Sequence, residues 1–358
     1  MSGTLEFGLD TFVPVTVDDA GVPVGGDQVI RNTVEEAVLA EAVGIDSFNI
    51  GEHYRPEFMD SAGHVILAAI AGRTERIRLG TAVTVLSTQD PVRLYTEFAT
   101  LDAVSNGRAQ LIVGRGSAVE SFPLFGFDLA DYEELYEEKL DLLVRLLRDQ
   151  PVTWSGRFRS PLTNQVVSPP IAAGHIPTWV GVGGSPQSVV RAARYGLPLM
   201  LAIIGGRADR FAPYVELYKR ALDQHGQPQL PVGMHTLGFI AATDEEAVRI
   251  QWPHYQEQFA RIGEERGWSP PIYEHFLAEV DHGSMYVGSP ETVAHRIAEV
   301  VRTLDLSRFD LHYAIGRIPH EQRMAMIELF GREVIPRVRD LLAATREPDT
   351  TLAAGGTS

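Results

Sequence analysis

Apolar and polar positions along the chain follow two periods. Short β-branched runs alternate with longer stretches in which apolar residues recur every three or four positions, the pattern of a parallel sheet covered by helices. Strands are predicted at Leu5–Phe12, Asp46–His53, Arg78–Leu86, Arg108–Gly114, Pro177–Gly183, Leu197–Ile204, Val232–Ala241 and Phe309–Ile315. The intervening helices are predicted at Asn32–Val43, Ser61–Gly72, Val92–Val104, Tyr132–Arg148, Gln187–Tyr195, Ala212–His225, Asp244–Ile262 and Glu291–Leu304. Punctuation supports several of these bounds. Asn32 reads as an N-cap with Glu35 three residues on, Gly44 as a stop, and Pro91 as a first-turn proline. A last helix spans Glu321–Ala344, and Pro336 inside it predicts a kink.

Eight strands, each followed by a helix, predict an α/β fold, a (β/α)8 TIM barrel with insertions in the loops at its C-terminal mouth. A doubly wound open sheet is the competing arrangement. The insertions are Phe122–Asp131, Pro151–His175 and Pro253–Tyr286, whose Phe122, Phe125, Trp154, Phe158, Trp252 and Trp268 could line an apolar pocket or simply pack their loops. A single barrel domain is expected over 1–346, with 347–358 a flexible tail.

Composition narrows the partners. The 358 residues carry 31 basic and 47 acidic side chains, a net charge of -16, so phosphate backbones and anionic membranes are repelled. With no cysteine, disulfides, thiolate nucleophiles and thiolate metal sites are excluded. The first residues show no basic and apolar leader, and no apolar run approaches a bilayer span. A cytoplasmic protein without nucleic-acid or membrane partners is expected. No H-E-x-x-H and no G-x-S-x-G occurs, so neither a metal site nor a hydrolase elbow is expected.

In a barrel the chemistry belongs to the C-terminal ends of the strands. Gly181-Val182-Gly183-Gly184-Ser185-Pro186-Gln187-Ser188 joins strand five to a helix, where bare N–H groups, the helix N-terminus and two hydroxyls can hold a phosphate. Pro186 stands where a dinucleotide fingerprint needs its third glycine, and Ser185 or Ser188 could equally serve as a simple cap. Arg115 lies at the adjoining strand end between Gly114 and Gly116, free to bind a phosphate bidentately or to pair with a nearby carboxylate. His53 ends strand two, on the face shared by Ser47, Asn49 and Gly51, and could be a general acid or base or a structural histidine. The paired acids Glu35-Glu36, Glu133-Glu134 and Glu137-Glu138 read as solvated helix faces.

The run from Gly80 to Arg115, with GEHY at 51–54, GVGGSPQSVVRAARYGLPLML at 181–201 and GSPETVAHRI at 288–297, resembles the luciferase-like flavin monooxygenases. The resemblance spans nearly the whole chain. It implies a reduced-FMN-dependent monooxygenase working with dioxygen on a small organic substrate, with a coenzyme F420-dependent hydride-transfer enzyme or a catalytically silent flavin-binding relative as alternatives. By the same resemblance Ala82, Val83 and Thr84 back the flavin ring, often through a cis peptide. Arg115 with Gly183, Gly184, Ser185 and Ser188 holds its phosphate, and His53 is the catalytic histidine. Tyr54 replaces the second histidine of the family's E-H-H motif. A homodimer and a separate NAD(P)H:flavin reductase are implied partners.

Overall fold

In the computed structural model, which describes residues 5–18, 20–116, 119–267 and 269–344, the eight expected strands form one parallel sheet. They are β1 (Glu6–Thr11), β2 (Ser47–Ile50), β3 (Arg78–Thr81), β4 (Leu111–Gly114), β5 (Thr178–Val182), β6 (Leu199–Ala202), β7 (Val232–Ile240) and β8 (Arg308–His312). The spatial order is 3-2-1-8-7-6-5-4. The seam closes where Leu79 of β3 donates its N–H to Arg108 and accepts from Gln110, both at 2.9 Å, giving the (β/α)8 barrel. A non-proline cis peptide at Ala82-Val83 divides the third predicted strand, and Thr84–Val85 resumes pairing with β4.

The helices match the sequence reading most closely where amphipathicity is strong. Tyr132–Arg148 buries Leu135, Leu140 and Leu143 and keeps its acids outward or at its start. Other bounds move. The first helix begins at Gly26 with Gly25 as its N-cap, not at Asn32, because Val29 and Thr33 extend its buried face one turn and more upstream. The stretch 151–175 contains a hairpin, Val152–Trp154 with Leu162–Gln165. Asp244–Arg266 runs straight through Pro253, followed by a helix at Tyr273–Asp281 and a ninth parallel strand, Met285–Gly288, beside the end of β7. The last helix is interrupted at Phe330–Val334 by a π-helical turn, which accommodates the missing N–H of Pro336. Ser117, Trp268 and the expected tail 347–358 lie outside the described residues.

Alternation along the strands separates two interiors. Leu9, Phe48, Leu79, Leu111, Leu199 and Phe309 face the helices and are fully buried, forming the main core. The inside of the barrel combines polar side chains with a small apolar cluster of Ile112, Trp179 and Met200. Arg308 makes a bidentate pair with Asp310, both contacts at 2.8 Å, and also donates to Gln110 (2.9 Å), Ser47 (3.2 Å) and Asn49 (3.3 Å). Such pairing is required, because an isolated guanidinium cannot be buried. Gly8 makes room for this network, since a Cβ there would stand 2.3 Å from Asp310 Oδ1.

Candidate active site

Above that polar plug the C-terminal ends of the strands enclose a cavity of about 930 Å³. Its size suits a cofactor-scale ligand. Of the residues singled out in the sequence, His53, Ala82, Val83, Arg115, Gly183, Gly184, Ser185 and Ser188 all line it. Thr84 does not line it; it is buried and pairs with Val113.

One wall is built by β3, β4 and β5. Val83 projects between Gly114 and Gly181, where a Cβ would come within 2.8 Å and 2.9 Å of its methyls. Glycine at both positions therefore lets the strand ends close around Val83. Beyond it, Ser185 caps the helix Pro186–Arg194, accepting from the Ser188 N–H at 3.4 Å. Gly184 sits at φ +112° and Gly183 borders open space. Ser188 Oγ is buried and has no hydrogen-bond partner among the described residues. Buried hydroxyls normally find a partner, so this one is chemically incomplete as it stands. Arg115 pairs with Glu133 and lies 5.3 Å from the Tyr132 ring centroid. Glu133 is also held by Arg191 at 3.0 Å. The capping role of Ser185 and the carboxylate partner of Arg115 are thus both present beside the open cradle.

The opposite wall comes from β1, β2, β7 and β8. His53 Nδ1 lies 2.8 Å from Asp60 Oδ2, and Asp60 Oδ1 accepts the His53 N–H at 3.0 Å. Burial pushes the Asp60 carboxyl up, against the opposing pull of His53. Phe12 and Phe58 pack on the imidazole, with centroids at 4.4 and 4.8 Å. Glu52, which also lines the cavity, accepts from Tyr54 Oη (2.7 Å), Gln89 Nε2 (2.7 Å) and the Val85 N–H (2.9 Å). It ties the end of β2 to the kinked segment after Val83. Tyr54, whose hydroxyl burial and Glu52 push up, does not line the cavity.

Sequence reasoning missed the deepest part of this wall. Asp10 accepts from His235 Nδ1 at 2.7 Å and from His312 Nδ1 at 2.6 Å, and all three residues line the cavity. Burial would raise the Asp10 carboxyl, but the charge and hydrogen bonds of the two histidines outweigh it and hold it well below the usual carboxylate range. The available signal was the strict alternation Arg308-Phe309-Asp310-Leu311-His312, which places every second, polar side chain inside the barrel. Of the loop aromatics, Phe122 is buried against Tyr132, Trp154 packs the hairpin onto Tyr95 and Leu142, and Trp252 joins Tyr255 and Phe276. The cavity draws its aromatics from Phe12, Phe58, Phe259 and Tyr132 instead.

A closed (β/α)8 barrel with a deep cavity at the carboxyl ends of its strands defines an enzyme architecture. The family model for luciferase-like monooxygenases matches residues 9–306, and the chain belongs to this family of oxidoreductases. A 4-hydroxyprotoasukamycin monooxygenase from Streptomyces nodosus subsp. asukaensis is 26% identical over 88% of this chain and 89% of its own length. An F420-dependent glucose-6-phosphate dehydrogenase from Amycolatopsis mediterranei is 30% identical over 87% of this chain and 95% of its own. Among solved structures, the oxygenating constituent of 3,6-diketocamphane monooxygenase from Pseudomonas putida, in complex with FMN, superposes with a TM-score of 0.74 at 20% identity. That match covers 94% of this chain and 99% of that one.

Proposed function

We propose that this oxidoreductase is an FMN-dependent monooxygenase acting with reduced FMN and dioxygen on a small organic substrate. The observation that carries the reading is the unpartnered, buried Ser188 Oγ at a helix N-terminus, with Arg115 on the adjacent strand end and His53 across the same cavity. Ser188, Ser185, the Gly183 and Gly184 N–H groups and Arg115 would hold the phosphate, an anion that the rest of a -16 chain repels. Ala82 and Val83 would back the ring, with Thr84 buried behind them. Reduced flavin, when bound, supplies the electrons that activate dioxygen.

The chain's own work is placement and protons. Asp60 fixes His53 with Nδ1 toward the carboxylate, leaving Nε2 to give or take a proton in the cavity. Phe12 and Phe58 keep water from that ring. Reduced FMN would come from a separate NAD(P)H:flavin reductase, and a cytoplasmic homodimer is the working form proposed.

Titrating FMN and riboflavin into wild type and Arg115→Ala tests the cradle. Losing a charge-assisted phosphate contact of about 1.5–3 kcal/mol weakens FMN about 10- to 150-fold and leaves riboflavin unchanged. Equal losses for both ligands would overturn the assignment. The 30% identical F420-dependent relative supports a second reading, hydride transfer with F420. F420 binding by wild type in the same titration, with none by FMN, would favour it.

A further inference from the structure

The wall of the cavity opposite the phosphate cradle carries a polar device that the flavin reading does not use. Asp10, at the end of β1, is completely buried, and its two carboxylate oxygens face two different histidines. An ionised carboxylate only accepts hydrogen bonds, so both Nδ1 atoms carry their hydrogens toward it. The tautomer of each ring is then fixed. A neutral ring oriented this way presents a bare Nε2, an acceptor, and a cationic one presents an Nε2–H donor. Neither Nε2 has a protein partner among the described residues, and both rings border the cavity. The rings stand 6.0 Å apart, centre to centre, so one bound molecule can approach both.

Phe12 packs on the His312 ring at 4.3 Å, and Met200, Ile204, Leu237, Phe259 and Ile262 line the same cavity, as do the polar Asp310, Glu257, Gln258 and Arg261. A hydroxyl arriving between the histidines would be carried by a molecule with apolar surface for the first of these groups. We propose that His235 and His312, set by Asp10, form the substrate-recognition pair of the cavity and take a hydroxyl group borne by an apolar, ring-sized compound, the hydroxyl donating to His312 Nε2 and accepting from His235 Nε2. The asymmetry of the two rings fits that division. Burial pushes His312 down, with the nearby His235 and His53 adding to it, so it stays neutral and accepts. Burial also presses on His235, but Asp10 and Asp310 together outweigh it and push it up, which favours the cationic, donating form. An ether or a hydrocarbon of the same shape cannot satisfy the His312 acceptor, and leaving a buried polar atom unpaired is what discriminates best between such ligands.

The proposal rests on the flavin reading only for what happens to the bound molecule afterwards, and its test does not need the cofactor. The probes are 1-naphthol and 1-methoxynaphthalene, titrated into the full chain with and without FMN, followed by ligand-observed NMR and by the ring-nitrogen signals of ¹⁵N-histidine-labelled protein. Naphthol should bind about tenfold more tightly than its methyl ether and should move the Nε2 signal of His312, while the ether leaves that signal in place. In His312→Phe the preference should fall to about onefold, with His235→Phe as a second variant should the first fail to fold. Equal binding of the two probes by wild type overturns the proposal, as does a preference that survives both substitutions. Failure of FMN to bind would count against the flavin reading alone, because the probe comparison in the cofactor-free sample still decides this one.

Discussion

Glu133 competes with any phosphate for Arg115, and this makes Glu133→Gln a quantitative test of the cradle. Glu133 is 57% exposed and already shares its carboxylate with Arg191, whereas the Arg115 side chain is 23% exposed. A pair with one member in solvent is worth about 0.2–1 kcal/mol. Freed of that competitor, Arg115 should bind FMN about 1.4- to 5-fold more tightly, the factor that this energy converts to at room temperature. Riboflavin, lacking the phosphate, should gain nothing. Quenching of flavin fluorescence measures both constants, and repetition in high salt should shrink the gain because exposed charges are screened. Riboflavin tightening in step with FMN would refute a phosphate contact at Arg115. Weaker FMN binding would show that Glu133 positions the guanidinium rather than occupying it.

Other consequences follow from single contacts. His53→Ala should leave FMN affinity nearly intact and lower substrate oxygenation by about 10²- to 10⁴-fold, the usual share of general acid–base catalysis, as read by product formation; unchanged turnover contradicts the role. Arg308→Ala leaves Asp310 buried without its cation, so urea unfolding should show a loss of about 3–5 kcal/mol, and a loss below about 1 kcal/mol would speak against the polar plug as a structural element. Lys139 donates to the Ser87 carbonyl at 2.6 Å, and burial pushes its ammonium down to about 8. Between about pH 8 and its unfolded value near 10.4 the unfolded chain binds the extra proton, so this group makes stability rise with pH across that window. Lys139→Met should abolish that rise in a thermal-melting series, and an identical pH profile would contradict it.

What the sequence showed and what it hid divides along physical lines. The helix Tyr132–Arg148 and the eight strands were readable because each carries its own period, and the Gly183–Ser188 loop because glycines and hydroxyls before a helix have few other uses. Arg115 and His53 were readable by position at strand ends. Asp10, His235 and His312 were not, since they come from β1, β7 and β8 and meet only when the barrel closes. The eighth strand was also placed too far along the chain, at Phe309–Ile315, which put His312 in mid-strand rather than at the cavity. The strand Met285–Gly288 stayed hidden because four residues beside an aromatic-rich stretch give too short a pattern. The hairpin Val152–Gln165 was obscured by the prolines around it.

The central claim is that the cradle between β4 and the helix after β5 holds the phosphate of a flavin mononucleotide. A crystal structure of the chain with FMN tests it most directly. The account predicts the phosphate within hydrogen-bond distance of Ser188 Oγ and Arg115, with the ring against Val83 and facing His53. A phosphate bound elsewhere, or a cradle left without it at saturating FMN, would contradict the account.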